Sequence, residues 1–209
     1  QTNFNSKPFY IGVNTGTLGF LQEIKPDKLE EFVKSLNENN YKYDEIGILE
    51  TSIIQNNQNK KFYSLNELVI RDLNLNVFKS EIFIDKVKLE NFAGDGLLIA
   101  TSVGSSAYNI SLNGALVYNT LHTIQINPIS PLNTSAYRNL LNPVILPEKS
   151  LVEILPQKER VTIMCDGEIE KIENVSKIEC SVKDKKLKFL RMKEYEFINI
   201  VNEKFLTEK

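Results

Sequence analysis

The run from Gly94 to Ser111 holds the residue types best placed to do chemistry: Gly-Asp-Gly-Leu-Leu-Ile-Ala-Thr-Ser-Val-Gly-Ser-Ser-Ala-Tyr-Asn-Ile-Ser. An acidic glycine turn leads into an apolar strand. The strand leads into a loop of small residues, and the loop opens a helix predicted over 105–118. The first turn of a helix leaves amides unpaired and carries partial positive charge. Gly104 would let a ligand approach the backbone, and Ser105 and Ser106 would cap the helix or donate to ligand oxygens. Tyr108, one turn in, would lie against a flat ring. Such a cradle suits a polar, aromatic ligand such as a nucleotide. On these residues alone two plainer readings stay open: a helix cap over a core tyrosine, and a simple hairpin turn at Gly-Asp-Gly.

Other chemistries find little footing. The single histidine, His122, has no serine or cysteine nearby to activate and reads as a surface residue. Cys165 and Cys180 lie in apolar segments and read as buried, inert thiols. Zinc needs about four ligands in close order, which Cys and His here do not supply. The 209 residues carry a formal net charge of −2, without the basic surplus of a nucleic-acid binder. No apolar run approaches the ~18 residues of a membrane span, and no signal peptide opens the chain. The expected partners therefore exclude nucleic acid and membrane, and the expected location is cytoplasmic.

The elements that must position the run are mostly strands. With hydrophobic residues at 42%, the chain can bury a core. Pro8–Val13 reads as a buried strand followed by a glycine-rich loop, and Asp27–Asn39 as a helix with an Asp27/Glu30 capping box. Its apolar stripe is Leu29, Phe32, Val33 and Leu36. From Tyr43 the period changes to two, and short strands recur, among them Phe62–Arg71 and Val87–Phe92. The fold class expected is mainly β: an antiparallel β-sandwich with one inserted helix, plus a remnant of an N-terminal α/β domain. The expected division is a remnant at 1–42, a ligand-binding sandwich at 43–193, and a C-terminal segment at 194–209 returning to the α/β domain.

Four segments, in order, resemble the NAD kinase family. Gly12-Val13-Asn14-Thr15-Gly16-Thr17-Leu18-Gly19-Phe20-Leu21 is similar to its glycine loop. Leu65-Asn66-Glu67 is similar to its Ala-Leu-Asn-Glu/Asp. Gly94–Ser111 is similar to its Gly-Asp-Gly strand followed by Thr-Pro-x-Gly-Ser-Thr-Ala-Tyr-x-x-Ser. Asn127–Leu146, with Pro128, Ser130, Arg138, Pro143 and Val144, is similar to a further family stretch. The resemblance implies transfer of the γ-phosphoryl of ATP, or of polyphosphate, to the 2′-hydroxyl of the adenosine ribose of NAD, with Mg2+ neutralising the phosphates. It places Asn66 and Glu67 at the adenosine half of NAD and Asp95 at the nicotinamide carboxamide or its ribose. Ser106, Ala107, Tyr108 and Ser111 would line the pocket, with Phe20 closing its adenine side. It also implies a homodimer or homotetramer in which Tyr137 completes a neighbour's pocket.

There are departures from the family pattern. Its catalytic aspartate lies in a Gly-Gly-Asp-Gly loop, and none occurs in these 209 residues. The catalytic residue is therefore unassigned, and the expectation is an inactive fragment of a longer protein. Ser102 stands for a proline, Val103 for a threonine or serine, Asn113 for a glycine and Ala93 for an arginine. A diacylglycerol- or sphingosine-type lipid kinase and a non-catalytic β-sandwich binding module are the alternatives. A Rossmann dehydrogenase does not fit glycines spaced G-x-x-x-G-x-x-G, and a P-loop enzyme does not fit a chain without Gly-Lys-Ser/Thr.

Overall fold

Alternation of apolar and polar side chains, with turns at the breaks, builds thirteen strands among the described residues. The computed structural model describes residues 8–16, 19–135 and 137–207. Thr17 and Leu18 of the glycine loop lie outside them. The chain separates into two compact units. Gln1–Ile46, Tyr118–Thr120 and Lys186–Lys209 make the first, and Gly47–Val117 with Leu121–Lys185 the second.

The strands are β1 (Phe9–Tyr10), β2 (Tyr41–Gln55), β3 (Gln58–Ser64), β4 (Glu67–Asp72), β5 (Phe78–Ile84), β6 (Val87–Gly94) and β7 (Gly96–Thr101). There follow β8 (Thr123–Ile129), β9 (Val144–Pro147), β10 (Val152–Pro156), β11 (Arg160–Cys165), β12 (Glu168–Glu173) and β13 (Val175–Met192). The second unit is a sandwich of two sheets, ordered β3-β2-β13-β10-β5-β6 and β12-β11-β4-β7-β8-β9. Its core draws on both. Leu49, Ile82 and Ile154 of the first sheet meet Leu68, Ile70, Ile99 and Ile163 of the second in one buried cluster. Each such side chain contributes roughly 1.5–3 kcal/mol by leaving water. Cys165 and Cys180 are buried free thiols on the same cluster.

In the first unit β1 pairs parallel with the end of β13, Phe9 opposite Lys188. Helix α1 (Leu29–Asn37) follows a 3-10 turn at Pro26–Lys28. The Asp27/Glu30 capping box does not form: Lys28 is the N-cap, without a side-chain bond. Pro26 starts the turn early, so Asp27 falls inside it. The expected stripe is also narrower, with Phe32 buried at 1% exposure and Leu29 and Val33 left outside. Arg191 is fully buried here. Its Nε donates to Asp44 at 2.9 Å and its Nη1 to the Leu21 carbonyl at 3.0 Å, with the Tyr195 ring 4.3 Å from Cζ.

Two further expectations change in the second unit. The strand expected over 62–71 is two strands in different sheets, broken at Leu65-Asn66. The helix expected over 105–118 shrinks to a 3-10 turn at Val103–Ser106 and a single α-turn, α2 (Tyr108–Ser111). Asn113 takes φ 58°, which ends the helix. Asn109, fully buried, then bonds Ser105 and Ala115 carbonyls through Nδ2 at 3.2 and 3.3 Å, fixing an extended return. A Cβ on Gly114 would fall 2.2 Å from that Nδ2, so only glycine fits.

Candidate dinucleotide site

The second sheet has an inner face in the core and an outer face under residues 101–117. On β4, Leu68 and Ile70 point inward, while Glu67 and Val69 point outward. Register sets Glu67 beside Ala100 and Ala100 beside Gln125, and Val69 beside Leu98 and Leu98 beside Asn127. Gln125 and Asn127 are buried at 1% exposure. Their amides are satisfied by the covering segment: Gln125 pairs both ways with Ala115, at 2.9 and 3.1 Å, and Asn127 Nδ2 donates to Asn109 Oδ1 at 3.1 Å. Tyr108 and Leu112 pack over Val69, Leu98 and Ile129.

The loop before β4 is stitched to the loop after β7. The Thr101 amide donates to the Asn66 carbonyl at 2.9 Å, and Thr101 Oγ1 to the Leu65 carbonyl at 2.6 Å. A Cβ on Gly104 would lie 1.9 Å from the Asn66 oxygen, so the two backbones meet only because Gly104 has none. Ser102 Oγ donates to the Leu121 carbonyl and accepts from the Thr123 amide at 3.2 Å. The hydroxyl that replaces the family's proline is thus a brace inside the fold.

Asp166 is the residue sequence reasoning missed. Its carboxylate accepts from the amides of Leu65, Asn66 and Glu67 at 2.6, 2.8 and 3.1 Å. Asp166 and Gly167 form the β11–β12 turn with φ 48° and 93°, the left-handed pair such hairpins require. The Asp-Gly dipeptide signals a turn, but nothing in sequence says which backbone its carboxylate will reach.

Glu67 is buried at 6% exposure, and its Oε2 has no hydrogen-bond partner among the described residues. Burial and the neighbouring Asp166 carboxylate push its pKa up to about 7, against the pull of the Tyr108 amide that donates to it. Tyr108 is fixed at its other end, where Oη accepts from Arg71 Nη2 at 3.1 Å. Asn66 is half-buried, and its side-chain amide makes no hydrogen bond among the described residues. Asn66, Glu67, Tyr108 and Asp166 therefore converge. Ser106 and Ala107 are half-buried in the same segment and Ser111 is exposed at its end.

The other expected residues lie elsewhere. Asp95 is exposed at the start of β7, while Ala100, opposite Glu67, is near its end. Five steps of ~3.4 Å along the chain separate the two positions by roughly 17 Å. Tyr137 contacts β5 of the other sheet, where Lys79 Nζ donates to its Oη at 2.6 Å. Its loop is pinned to edge strand β6 by Asn139, which accepts from the Ala93 amide at 3.2 Å and donates to its carbonyl at 3.1 Å. Phe20 belongs to the first unit, buried with its ring against Phe197 and Phe205. His122 pairs with Glu148 at 3.2 Å.

Residues 65–192 match the family model of the ATP-NAD kinase C-terminal domain. The chain is 34% identical to an NAD kinase of Finegoldia magna, covering 97% of this chain and 77% of that one. The chain belongs to the NAD kinase family. An NAD kinase of Streptococcus agalactiae is 33% identical, over 95% of this chain and 73% of its own. Among solved structures, yeast NADH kinase complexed with NADH superposes with a TM-score of 0.80 at 24% identity. An NAD kinase from Archaeoglobus fulgidus in complex with ATP superposes with a TM-score of 0.77 at 21% identity. Both share the fold. The match covers 93% of this chain but 58% of the yeast chain.

NAD kinase membership sets the lipid-kinase reading aside. For the Mg2+ implied by the family, the described residues offer no group of three or more His, Cys, Asp or Glu placed to hold a metal ion. Mg2+ is ordinarily held by one or two carboxylates together with substrate phosphates, so it would enter with the phosphoryl donor. No helix among the described residues is long and apolar enough to cross a membrane.

Proposed function

We propose that this chain supplies the dinucleotide-binding part of an NAD kinase, which moves a phosphoryl group from ATP or polyphosphate to the adenosine 2′-hydroxyl of NAD. The observation that carries the reading is the pairing of Asn66, whose side-chain amide has no partner among the described residues, with buried Glu67 on a loop clamped by Asp166. An amide offers a donor and an acceptor, which suits a ribose hydroxyl or an adenine edge. Near neutral pH Glu67 is divided between acid and anion, so it can donate to or accept from a hydroxyl. Tyr108, held between Glu67 and Arg71, presents its ring without moving. The exposed Asp95 carboxylate then accepts from the carboxamide or its ribose, and Ser106, Ala107 and Ser111 line the path.

Catalysis needs a base at the 2′-hydroxyl, and the sequence holds no Gly-Gly-Asp-Gly loop to provide the family's. The chain as given is therefore proposed to bind NAD without turning it over. Tyr137 is proposed to act on a neighbouring subunit of a homodimer or homotetramer, because its own contacts lie on the other sheet. A cytoplasmic setting belongs to the same proposal. The test is to titrate NAD by calorimetry and then add Mg-ATP and assay NADP. The expected outcome is saturable binding with no NADP above background. Turnover would show that a residue within this chain serves as the base, and absence of binding would remove the pocket assignment.

A further inference from the structure

Another cavity of the second unit, about 350 Å³, lies at the end of β4 remote from Glu67. Its walls are the β4–β5 connection and the β10–β11 turn. The Gln157 amide donates to the Lys79 carbonyl at 2.8 Å, which ties the two walls together. Lys79, Lys158 and Arg160 all line it. Among the described residues none of the three forms an ion pair with a carboxylate, and Arg160 Nε is buried without a hydrogen-bond partner. One acid, Asp72, shares the cavity. Its Oδ1 already accepts from the Asn74 amide, the Asn76 amide and Asn76 Nδ2 at 2.9, 3.2 and 3.0 Å. Three cations thus face one carboxylate, which Lys158 already offsets through space, and a surplus of two positive charges remains.

A buried guanidinium N–H without an acceptor is costly, and so are like charges gathered in a concave wall. An oxyanion with two negative charges relieves both. Arg160 would supply a directed donor and Lys158 a mobile one. Lys79, bonded through one proton to Tyr137 Oη at 2.6 Å, keeps others to donate. We propose that this cavity is an anion site that takes a phosphate group carried by a small molecule, separate from the dinucleotide cradle. The separation rests on β4 itself. Its first residue, Glu67, is in the cradle and its last, Asp72, is in the cavity, roughly 17 Å away at ~3.4 Å per residue. Because Lys79 also holds Tyr137, an anion here would compete for the lysine that fixes the Tyr137 loop.

The probe is inorganic pyrophosphate, titrated into the protein by calorimetry in low-salt buffer, with and without saturating NAD. The expected result is one saturable site per chain, weakened roughly tenfold or more in Lys158→Gln and in Arg160→Gln, and unmoved by NAD. Lys158 is exposed and outside the cradle, so Lys158→Gln is expected to melt at the parent temperature. It keeps the test sound should Arg160→Gln fold poorly. Unsaturable heat, equal affinity in Lys158→Gln, or displacement of pyrophosphate by NAD would each overturn the proposal. Citrate run in parallel separates phosphate recognition from general attraction of anions: affinity equal to pyrophosphate's would overturn the assignment to phosphate.

Discussion

Two buried ionisable groups, one in each unit, differ in the charge beside them: Arg191 faces two carboxylates and Glu67 a like-charged one. Arg191 is met by Asp44 at 2.9 Å, Glu23 at 3.6 Å, the Leu21 carbonyl and the face of Tyr195. Glu67 has one amide donor, a second carboxylate beside it and an oxygen with no partner among the described residues. A desolvated charge is tolerable when its hydrogen bonds and counter-charges are supplied. Arg191 has its counter-charges in Asp44 and Glu23, although its Nη2 has no hydrogen-bond partner among the described residues, and it ties the segment at 21–23, the start of β2 and the end of β13 into one network. Glu67 has a like charge beside it, and its proton affinity rises instead. A compensated buried charge holds a fold together. We read the uncompensated Glu67, in a cradle where the Asn66 side-chain amide is also unpaired among the described residues, as the place where a ligand supplies what the protein leaves out.

The comparison breaks most visibly at Arg191. Arg191→Met leaves Asp44 and Glu23 buried without their cation, and a loss of about 3–5 kcal/mol in unfolding free energy is expected from denaturant melts. A loss under about 1 kcal/mol would mean that the network does not hold the first unit.

Glu67 gives the next largest effect, with the opposite sense. Its pKa is raised in the folded state from 4.5 to about 7. The folded state therefore binds the proton more tightly than the unfolded chain does. The stability tied to it is fully present below about 4.5 and is lost as pH rises through about 7, up to about 3 kcal/mol. Glu67→Gln removes the titration while keeping the shape. The wild type should lose stability relative to this variant between pH 5 and pH 8, and parallel melting curves would refute the raised affinity.

The smallest effect sharpens the comparison. Tyr108→Phe removes only the bond from Arg71, and about 0.5–1.5 kcal/mol of NAD binding should go with it. A loss of several kcal/mol would show that the hydroxyl touches the ligand directly.

Much of this arrangement was legible in the residues. The period-two pattern gave the sandwich, and the Gly94–Ser111 run and Leu65-Asn66-Glu67 pointed to parts that do come together around Tyr108. What was not legible depended on contacts between distant segments. The strand expected over 62–71 breaks because Asp166, a hundred positions away from Leu65 and Asn66, takes their amides. The helix expected over 105–118 is short because the buried amides of Asn109, Gln125 and Asn127 offer its backbone better partners than a longer helix would. Gln125 and Asn127 did leave a trace, since polar amides alternating with Ile124 and Ile126 show that the outer face of β8 must be covered by something polar. Arg191 left none: one arginine near the end of an eighteen-residue strand reads as surface until the fold closes over it.

The claim that the Asp166-clamped loop is a dinucleotide site is tested most directly by titrating NAD into the wild type and into Asn66→Ala, with thermal melts of both. The account predicts that Asn66→Ala melts at the wild-type temperature and binds NAD about 1–3 kcal/mol more weakly. Equal NAD affinity in the two proteins would contradict it.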